Sequence, residues 1–278
     1  MSGTLFVVGT PIGNLEDLTP RAARVLGEVD AVAAEDTRRT RGLLAHLGVR
    51  VRLLSLPAAA ERERTEPVLV LLRDGRDVAL VTDAGMPGVS DPGQHLIARA
   101  LAEGMTVEVV PGPSAALAAL VASGLPAERW TFEGFLPRKG PARRERLASI
   151  AADPRATVLF ESPRRAAVTL GDLAGACGPG RRGAVARELT KLHEEVLRGT
   201  LEALAADLAG RDEVKGEVTI VVEGAGPAAA PEVDDAGLAE EARALAAGGM
   251  RARAAAAEVA RRHGVPANRV YAAMVGDP

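Results

Sequence analysis

Four short segments carry most of the residues that can do chemistry, and each directly follows a run of apolar residues. Gly9-Thr10-Pro11-Ile12-Gly13-Asn14 follows residues 4–8, and Glu35-Asp36-Thr37-Arg38 follows residues 31–34. Asp83-Ala84-Gly85-Met86-Pro87 follows residues 78–82, and Gly112-Pro113-Ser114 follows residues 106–110 and Pro111. Together they offer glycine backbone, small hydroxyls and three carboxylates, Glu35, Asp36 and Asp83. Exposed N–H groups at such turns can hold a carboxylate or an adenine edge. That set suits a small zwitterionic or nucleoside-like cofactor.

Several other chemistries are excluded by spacing. The first turn is not the six-residue dinucleotide fingerprint, and no Gly-Lys-Ser/Thr phosphate loop follows any strand-like run. His46, His95, His193 and His263 are scattered, and none pairs with another histidine or with Cys177 at ligand spacing, so no metal is expected. Ser114 lacks the Gly-x-Ser-x-Gly elbow of a serine hydrolase. Basic residues gather at Arg38-Arg39-Arg41, at Arg138-Lys139 with Arg143-Arg144-Arg146, at Arg164-Arg165 and at Arg181-Arg182. A local basic wall on a chain of net charge −3 suits a phosphate-bearing partner such as RNA. With 2% aromatic residues, recognition would lean on shape and phosphates rather than base stacking.

The elements that position these loops are given by periodicity. Short apolar runs alternating with helix-like segments predict a parallel sheet covered by helices, with ligands at the carboxyl ends of the strands. Thr19-Pro20 and Asp91-Pro92 each supply an oxygen to cap a helix and a proline preset for its first position. Residues 130–135 read as an edge strand of this first domain, residues 1–137. The composition shifts near Pro137-Arg138-Lys139-Gly140-Pro141, opening a second α/β domain over residues 138–224. Within it a basic helix leads to strands at 157–160, 183–188, 193–199 and 217–223, the middle two forming an antiparallel hairpin. Gly226-Pro227-Ala228-Ala229-Ala230-Pro231 marks a linker, 225–235, and residues 236–278 read as helices only. The last two helices flank Gly264-Val265-Pro266 and form a helix-turn-helix-like pair or a small helical cap.

At 278 residues and 47% apolar content the chain suits two domains and an appendage, with a core built from Ala, Val and Leu. One cysteine, Cys177, rules out an internal disulfide framework and suits a reducing compartment. No charged-then-apolar leader and no bilayer-length apolar run is present, so a soluble cytoplasmic protein is expected.

With these residues assembled, the chain resembles the tetrapyrrole methylase superfamily. The resemblance rests on Gly9-Thr10-Pro11-Ile12-Gly13-Asn14-Leu15-Glu16-Asp17, Ala34-Glu35-Asp36-Thr37-Arg38, Thr82-Asp83-Ala84-Gly85-Met86-Pro87 and Asp91-Pro92-Gly93. It continues through Pro111-Gly112-Pro113-Ser114-Ala115, Glu133-Gly134-Phe135-Leu136-Pro137, Glu161-Ser162-Pro163-Arg164-Arg165, Ala186-Arg187-Glu188-Leu189-Thr190-Lys191 and Lys215-Gly216-Glu217. Any one of these is weak, but the ordered set over residues 3–224 is specific. Within the family it is similar to the members that methylate the ribose 2′-oxygen of a cytidine in small-subunit ribosomal RNA. One departure stands out: a stretch that commonly holds a His and ends in Asn-Glu is here Ser55-Leu56-Pro57-Ala58-Ala59-Ala60-Glu61.

The resemblance implies two α/β domains with S-adenosylmethionine in the cleft between them, and a homodimer. Pro11, Gly13, Asp83, Ala84, Gly85, Ser114 and Ala115 would line the cofactor pocket, with Phe160 and Glu161 contributing from the second domain. Arg38, Arg138, Lys139, Arg143, Arg144 and Arg164 would meet the RNA, which is expected within the assembled small subunit. A base must take the hydroxyl proton, and Asp36, Glu188 and Lys191 are the candidates. Two rival readings are a methyltransferase for a tetrapyrrole or a protein side chain, and a non-catalytic RNA-binding assembly factor.

Overall fold

The computed structural model describes residues 2–226 and 234–276. Among the described residues ten strands form two sheets. The first holds β1 (Thr4–Val8), β2 (Ala31–Ala34), β3 (Arg52–Ser55), β4 (Val78–Val81) and β5 (Thr106–Val110) in the order β3-β2-β4-β1-β5. All four neighbouring pairs are parallel. Its central strands are apolar because both faces are covered: every residue of β2 and β4 is buried. The second sheet holds β6 (Trp130–Phe135), β7 (Ala156–Glu161), β8 (Arg182–Arg187), β9 (Glu195–Thr200) and β10 (Val218–Val222) in the order β6-β7-β10-β8-β9. Only β6 and β7 run parallel; β10 is antiparallel to both its neighbours, and β8–β9 is the expected hairpin.

Helices α1 (Pro20–Glu28), α2 (Thr37–His46), α3 (Glu61–Arg73) and α4 (Gln94–Ala102) flank the first sheet. Helix α5 (Ala115–Ser123) comes after β5 in the chain, yet Ala116, Ala119 and Leu120 pack against Val158, Ala184 and Val221 of the second sheet. Helices α6 (Pro141–Ala152), α7 (Pro163–Cys177) and α8 (Leu201–Ala209) close the other face of that sheet around Leu159, Leu170 and Ile220. Residues up to Gly224 make one compact unit.

The second unit begins at Ala225 and contains α9 (Asp235–Ala247), α10 (Ala252–His263) and α11 (Ala267–Val275). Its three helices enclose their own small core of Leu238, Ala242, Ala256, Val259 and Val270. Gly264, in the left-handed region at φ 65°, ends α10 before Pro266. Most of the expected linker, residues 227–233, lies outside the described residues. Among the described residues no helix is long and apolar enough to cross a membrane.

Three expectations change here. Strand β6 is not an edge of the first sheet; it hydrogen-bonds to β7 and forms the edge of the second. Its register with β7 shifts at a bulge between Phe132 and Gly134, where Gly134 stands at φ 57°. The Asp91-Pro92 pair does not open a helix: α4 starts two residues later, after Gly93. The capping oxygen comes instead from Glu61 Oε1 of α3, which accepts from the N–H groups of Gly93 (2.9 Å), His95 (2.8 Å) and Leu96 (3.3 Å). The Glu61 carboxylate thus satisfies the orphan donors of this helix start, and Asp91 lies in the loop before it.

Finally, Arg143 is not a surface RNA contact. It is 7% exposed, donates to Asp172 Oδ2 at 2.7 Å, to the Pro137 carbonyl at 3.0 Å and to Thr169 Oγ1 at 3.1 Å. Arg143, Leu147 and Ile150 share the buried face of α6, so helical phase carries the guanidinium inward.

Candidate functional site: two joined cavities at the carboxyl edge of the parallel sheet

Because β1, β2, β4 and β5 are parallel neighbours, the loops after them emerge on one edge. The loops touch closely. A Cβ on Gly9 would lie 2.7 Å from Gly112 Cα, so only glycines let these two turns pack backbone to backbone. Thr10 and Gly85 form a bridge, each N–H donating to the other's carbonyl at 2.9 and 3.1 Å. Gly85, at φ 79°, makes the turn that brings the β4 loop back to it.

Between this edge and the second sheet lie two cavities. The larger, of about 580 Å³, is lined from the first sheet's loops by Ala84, Gly85, Met86, Asp91, Ser114 and Ala115. Phe135, Phe160, Glu161, Glu217 and Thr219 line it from the second sheet. The smaller, of about 270 Å³, is lined by Thr10, Pro11, Gly13, Arg39, Thr82, Asp83 and Lys191. Ile12, Ala84 and Glu217 belong to both walls.

The expected cofactor residues therefore divide. Ala84, Gly85, Ser114, Ala115, Phe160 and Glu161 line the larger cavity, whereas Pro11, Gly13 and Asp83 line the smaller. Ser114 caps α5, its Oγ accepting from the Leu117 N–H at 3.5 Å, so the first turn of that helix faces the larger cavity. Phe160 meets Phe132 edge-on at 4.9 Å between ring centres and Phe135 at 5.7 Å. Glu161 is buried but engaged: Thr169 Oγ1 donates to Oε2 at 2.7 Å and the Ser162 N–H to Oε1 at 2.7 Å.

The candidate bases divide too. Asp36 lines neither cavity; it caps α2, accepting from the Arg38 N–H at 2.8 Å. The Arg38 guanidinium and that N–H hold its carboxyl at about 2, which suits a cap and not a proton acceptor. Lys191 Nζ lies 2.7 Å from Glu188 Oε1 and 3.1 Å from Glu217 Oε2. Burial works to lower its pKa, but the hydrogen bonds to the two carboxylates outweigh this, so Lys191 is held protonated. The Lys191 ammonium in turn holds Glu188 below the usual carboxylate range. Glu188 and Thr190 stand in the left-handed region at φ 51° and 65°. Such strain in non-glycine residues collects at functional sites.

Four carboxylates crowd the cleft. Asp91 is pushed up to about 6 by burial, with the charges of Glu35, Asp83 and Glu217 adding to it. Burial also raises Glu35, whose Oε2 accepts from the Asp83 N–H at 3.4 Å. Of the expected RNA contacts other than Arg143, Arg38, Arg138, Lys139, Arg144 and Arg164 are exposed. Arg38 is paired with Asp36, while no carboxylate among the described residues pairs with the other four.

Sequence reasoning missed Asp91, Glu217, Arg39 and Thr82 as cavity residues. Glu217 was signalled by its place in Lys215-Gly216-Glu217, and Arg39 by its basic cluster. Thr82 was signalled in the same way by its place in Thr82-Asp83-Ala84-Gly85, and Asp91 by Asp91-Pro92-Gly93.

A cationic sulfonium with an adenine ring fits the larger cavity. Its volume is within the roughly 300–1,000 Å³ of sites for ligands of that size. Phe160 and Met86 give an apolar wall for the ring, and Asp91 and Glu217 give acceptors for positive charge. Among the described residues no cluster of metal-ligand side chains is found.

The family model of the Tetrapyrrole (Corrin/Porphyrin) Methylases matches residues 4–205. A Mycobacterium bovis protein named ribosomal RNA small subunit methyltransferase I is 46% identical over 99% of this chain and 95% of its own. Proteins of the same name from Xylella fastidiosa and Escherichia coli O157:H7 are 51% and 42% identical. They match over 80% and 97% of this chain and 82% and 93% of their own. Among solved structures, the methyltransferase CobJ covers 81% of this chain and 95% of its own at TM-score 0.63 and 22% identity. A uroporphyrin-III C-methyltransferase from Thermus thermophilus, complexed with S-adenyl homocysteine, covers 79% and 96% at TM-score 0.58 and 22% identity. These two likenesses speak to the fold. The chain thus belongs to the tetrapyrrole methylase family, in the branch whose members carry the name ribosomal RNA small subunit methyltransferase I.

Proposed function

We propose that this chain methylates the ribose 2′-oxygen of a cytidine in small-subunit ribosomal RNA, using S-adenosylmethionine. The observation that carries the reading is the pair of cavities meeting at Ile12, Ala84 and Glu217, with Lys191 on the wall of the smaller. One chamber has the size and lining for the methyl donor; the other opens beside it for the group that accepts the methyl. The cofactor supplies an already activated methyl, so the protein's main task is alignment, worth roughly 7–11 kcal/mol in favourable cases.

Ala84, Gly85, Ser114, Ala115, Phe160 and Glu161 hold the donor, with Pro11 and Gly13 shaping the passage between the chambers. Lys191, kept as an ammonium by Glu188 and Glu217, donates to the ribose oxygen and steadies it as its proton departs. Glu217, common to both walls, is the carboxylate that receives that proton. Glu188 acts by holding Lys191. Exposed Arg138, Lys139, Arg144 and Arg164, with Arg38 beside the cleft, meet RNA phosphates. The protein works in the cytoplasm as a homodimer on the assembled small subunit.

The test offers labelled S-adenosylmethionine with unmodified small subunits, with free ribosomal RNA and with a precorrin. Label on the subunit RNA, resistant to alkali at one cytidine, is the expected result. Label on the precorrin alone overturns the RNA assignment, and label on none of the three overturns the enzymatic one.

A further inference from the structure

Residues 37–60 contain five arginines, one histidine and no acidic residue, on a chain of net charge −3. The segment folds as α2, a turn at Gly48 (φ 69°), the edge strand β3 and the turn after it. Helix α2 separates two hollows. Arg39, Thr40 and Leu43 line the smaller cavity, whereas Arg41, Leu44 and Ala45 line a groove of about 490 Å³ on the helix's other side. Successive helical residues advance by about 100°, which sets these two trios on opposite faces.

Opposite α2 the groove is walled by Gly48, Val49, Arg50 and Leu53. Its floor is apolar: Leu44 is buried, and Val49, Val51 and Leu53 pack against the core beneath it. Its rim is cationic, since Arg41 and Arg50 are both exposed and no acidic residue lines the groove. Among the described residues neither arginine is paired with a carboxylate, unlike Arg38 and Arg39 on the same helix. Because β3 is the last strand of its sheet, no further strand flanks it there. Like charges gathered without counter-charges repel one another, and an anionic partner relieves that repulsion.

We propose that this groove takes the RNA strand beside the target nucleotide, with Arg41 and Arg50 on its phosphates and a sugar or base against the apolar floor. Contacts of this kind fix the register of the strand without reading its sequence. Continuity favours RNA over a protein partner. Helix α2 carries Arg39 on the smaller cavity, where the acceptor nucleotide is placed, and Arg41 on the groove. A helix is about 10–12 Å across, so a strand leaving the cavity passes over α2 within a few nucleotides. The groove also lacks any aromatic side chain, the kind of anchor that protein partners use most.

This proposal rests on the reading given above for the identity of the RNA, and the experiment separates the two. Binding to unmodified small subunits is measured over a range of salt for the wild type, Arg41→Ala, Arg50→Ala, the double variant and Arg52→Ala. Strand alternation turns Arg52 away from the face of Val51 and Leu53, so it serves as an exposed arginine outside the groove. Each groove substitution should weaken binding about three- to tenfold and flatten the slope of log affinity against log salt by about 0.7, the double variant by about 1.4. Tm and calorimetric affinity for S-adenosylmethionine should not move. An unaltered slope in the double variant overturns the proposal, as does an equal loss in Arg52→Ala. A photo-crosslinking phenylalanine analogue in place of Ala45 should label ribosomal RNA. Label on a ribosomal protein or on a second copy of this chain, with none on RNA, overturns it too. Methylation is scored separately: a wild type that binds through Arg41 and Arg50 yet transfers no methyl refutes the function proposed above and leaves the groove standing.

Discussion

A methyl group placed on Gly13 would collide with Cγ of Lys191 and lie 2.9 Å from the Leu189 carbonyl oxygen. The first loop of the parallel sheet is thus pressed against the β8–β9 turn of the second sheet, and the absent side chain is what lets Lys191 reach the cavity mouth. Because backbone as well as side chain stands in the way, Gly13→Ala must displace the turn. A shift of about 1 Å in a positioning element can cost about 100-fold in rate. Gly13→Ala should therefore lower kcat to that extent while calorimetric Tm stays within a few degrees of wild type. A variant of full activity would show that the turn gives way freely.

Lys191 and Glu188 make an ion pair whose two pKa values move apart, the lysine upward and the carboxylate downward. Both stay charged across the neutral range. Lys191→Met should reduce kcat by about two orders of magnitude at every pH from 6 to 9, in line with loss of one donor to a developing oxyanion. Glu188→Gln should fall less, since Glu217 still contacts the ammonium. Rate profiles over that pH span are the check; a Lys191→Met deficit that disappears at low pH would instead mark the lysine as a base.

Asp91, held at about 6 against an ordinary 3.8, makes stability fall with rising pH. Below about pH 4 it is protonated in the folded and unfolded chains alike and has no effect. Between about pH 4 and 6 the unfolded chain ionises this carboxyl while the folded chain keeps it protonated, so stability declines across that window and levels off above it. Asp91→Asn should raise Tm at pH 8, nearly as much at pH 6 and little near pH 4. A positively charged ligand in the same cavity favours the ionised form. Binding of S-adenosylmethionine near pH 6 should accordingly release protons, seen as a calorimetric enthalpy that varies with buffer. An equal Tm gain at all three pH values would place the effect elsewhere.

Arg143 distinguishes a folding residue from a binding one. Removing its side chain strands Asp172, the Pro137 carbonyl and Thr169 Oγ1 beneath α6. Arg143→Met should cost about 2–4 kcal/mol, less than for a fully enclosed pair because Asp172 is partly exposed. By scan this is a drop of roughly 5–15 °C. Arg138→Ala and Arg144→Ala should leave Tm unchanged and weaken RNA binding, with a shallower salt dependence. The opposite pattern, a stable Arg143→Met with weakened RNA binding, would return that residue to the surface role.

Much of this site was readable from residue order. The four loops announced themselves because strands buried on both faces leave unbroken apolar runs, and the residues just past such a run must lie at the strand's end. The hairpin of β8 and β9 was equally plain. The errors share a cause: each turned on a partner distant in the chain. Asp91-Pro92 has the local form of a helix start, but Glu61, thirty residues earlier, occupies the donors. Residues 130–135 follow the strands of the first sheet in sequence, but their hydrogen bonds go forward to β7. Arg143 looked like one more member of a basic cluster, although its phase with Leu147 and Ile150 already set it on the inner face. Asp83 was legible as a ligand residue; which chamber it serves depends on the bridge between Thr10 and Gly85.

Helix α5 begins on a loop of the first sheet and packs on the second, so neither half owns it. Its opening turn borders the larger cavity, and its body is part of the other half's core. The two sheets are consequently mortised rather than hinged. They should melt as one cooperative body in a calorimetric scan, and a molecule held in that cavity should raise the melting of both together.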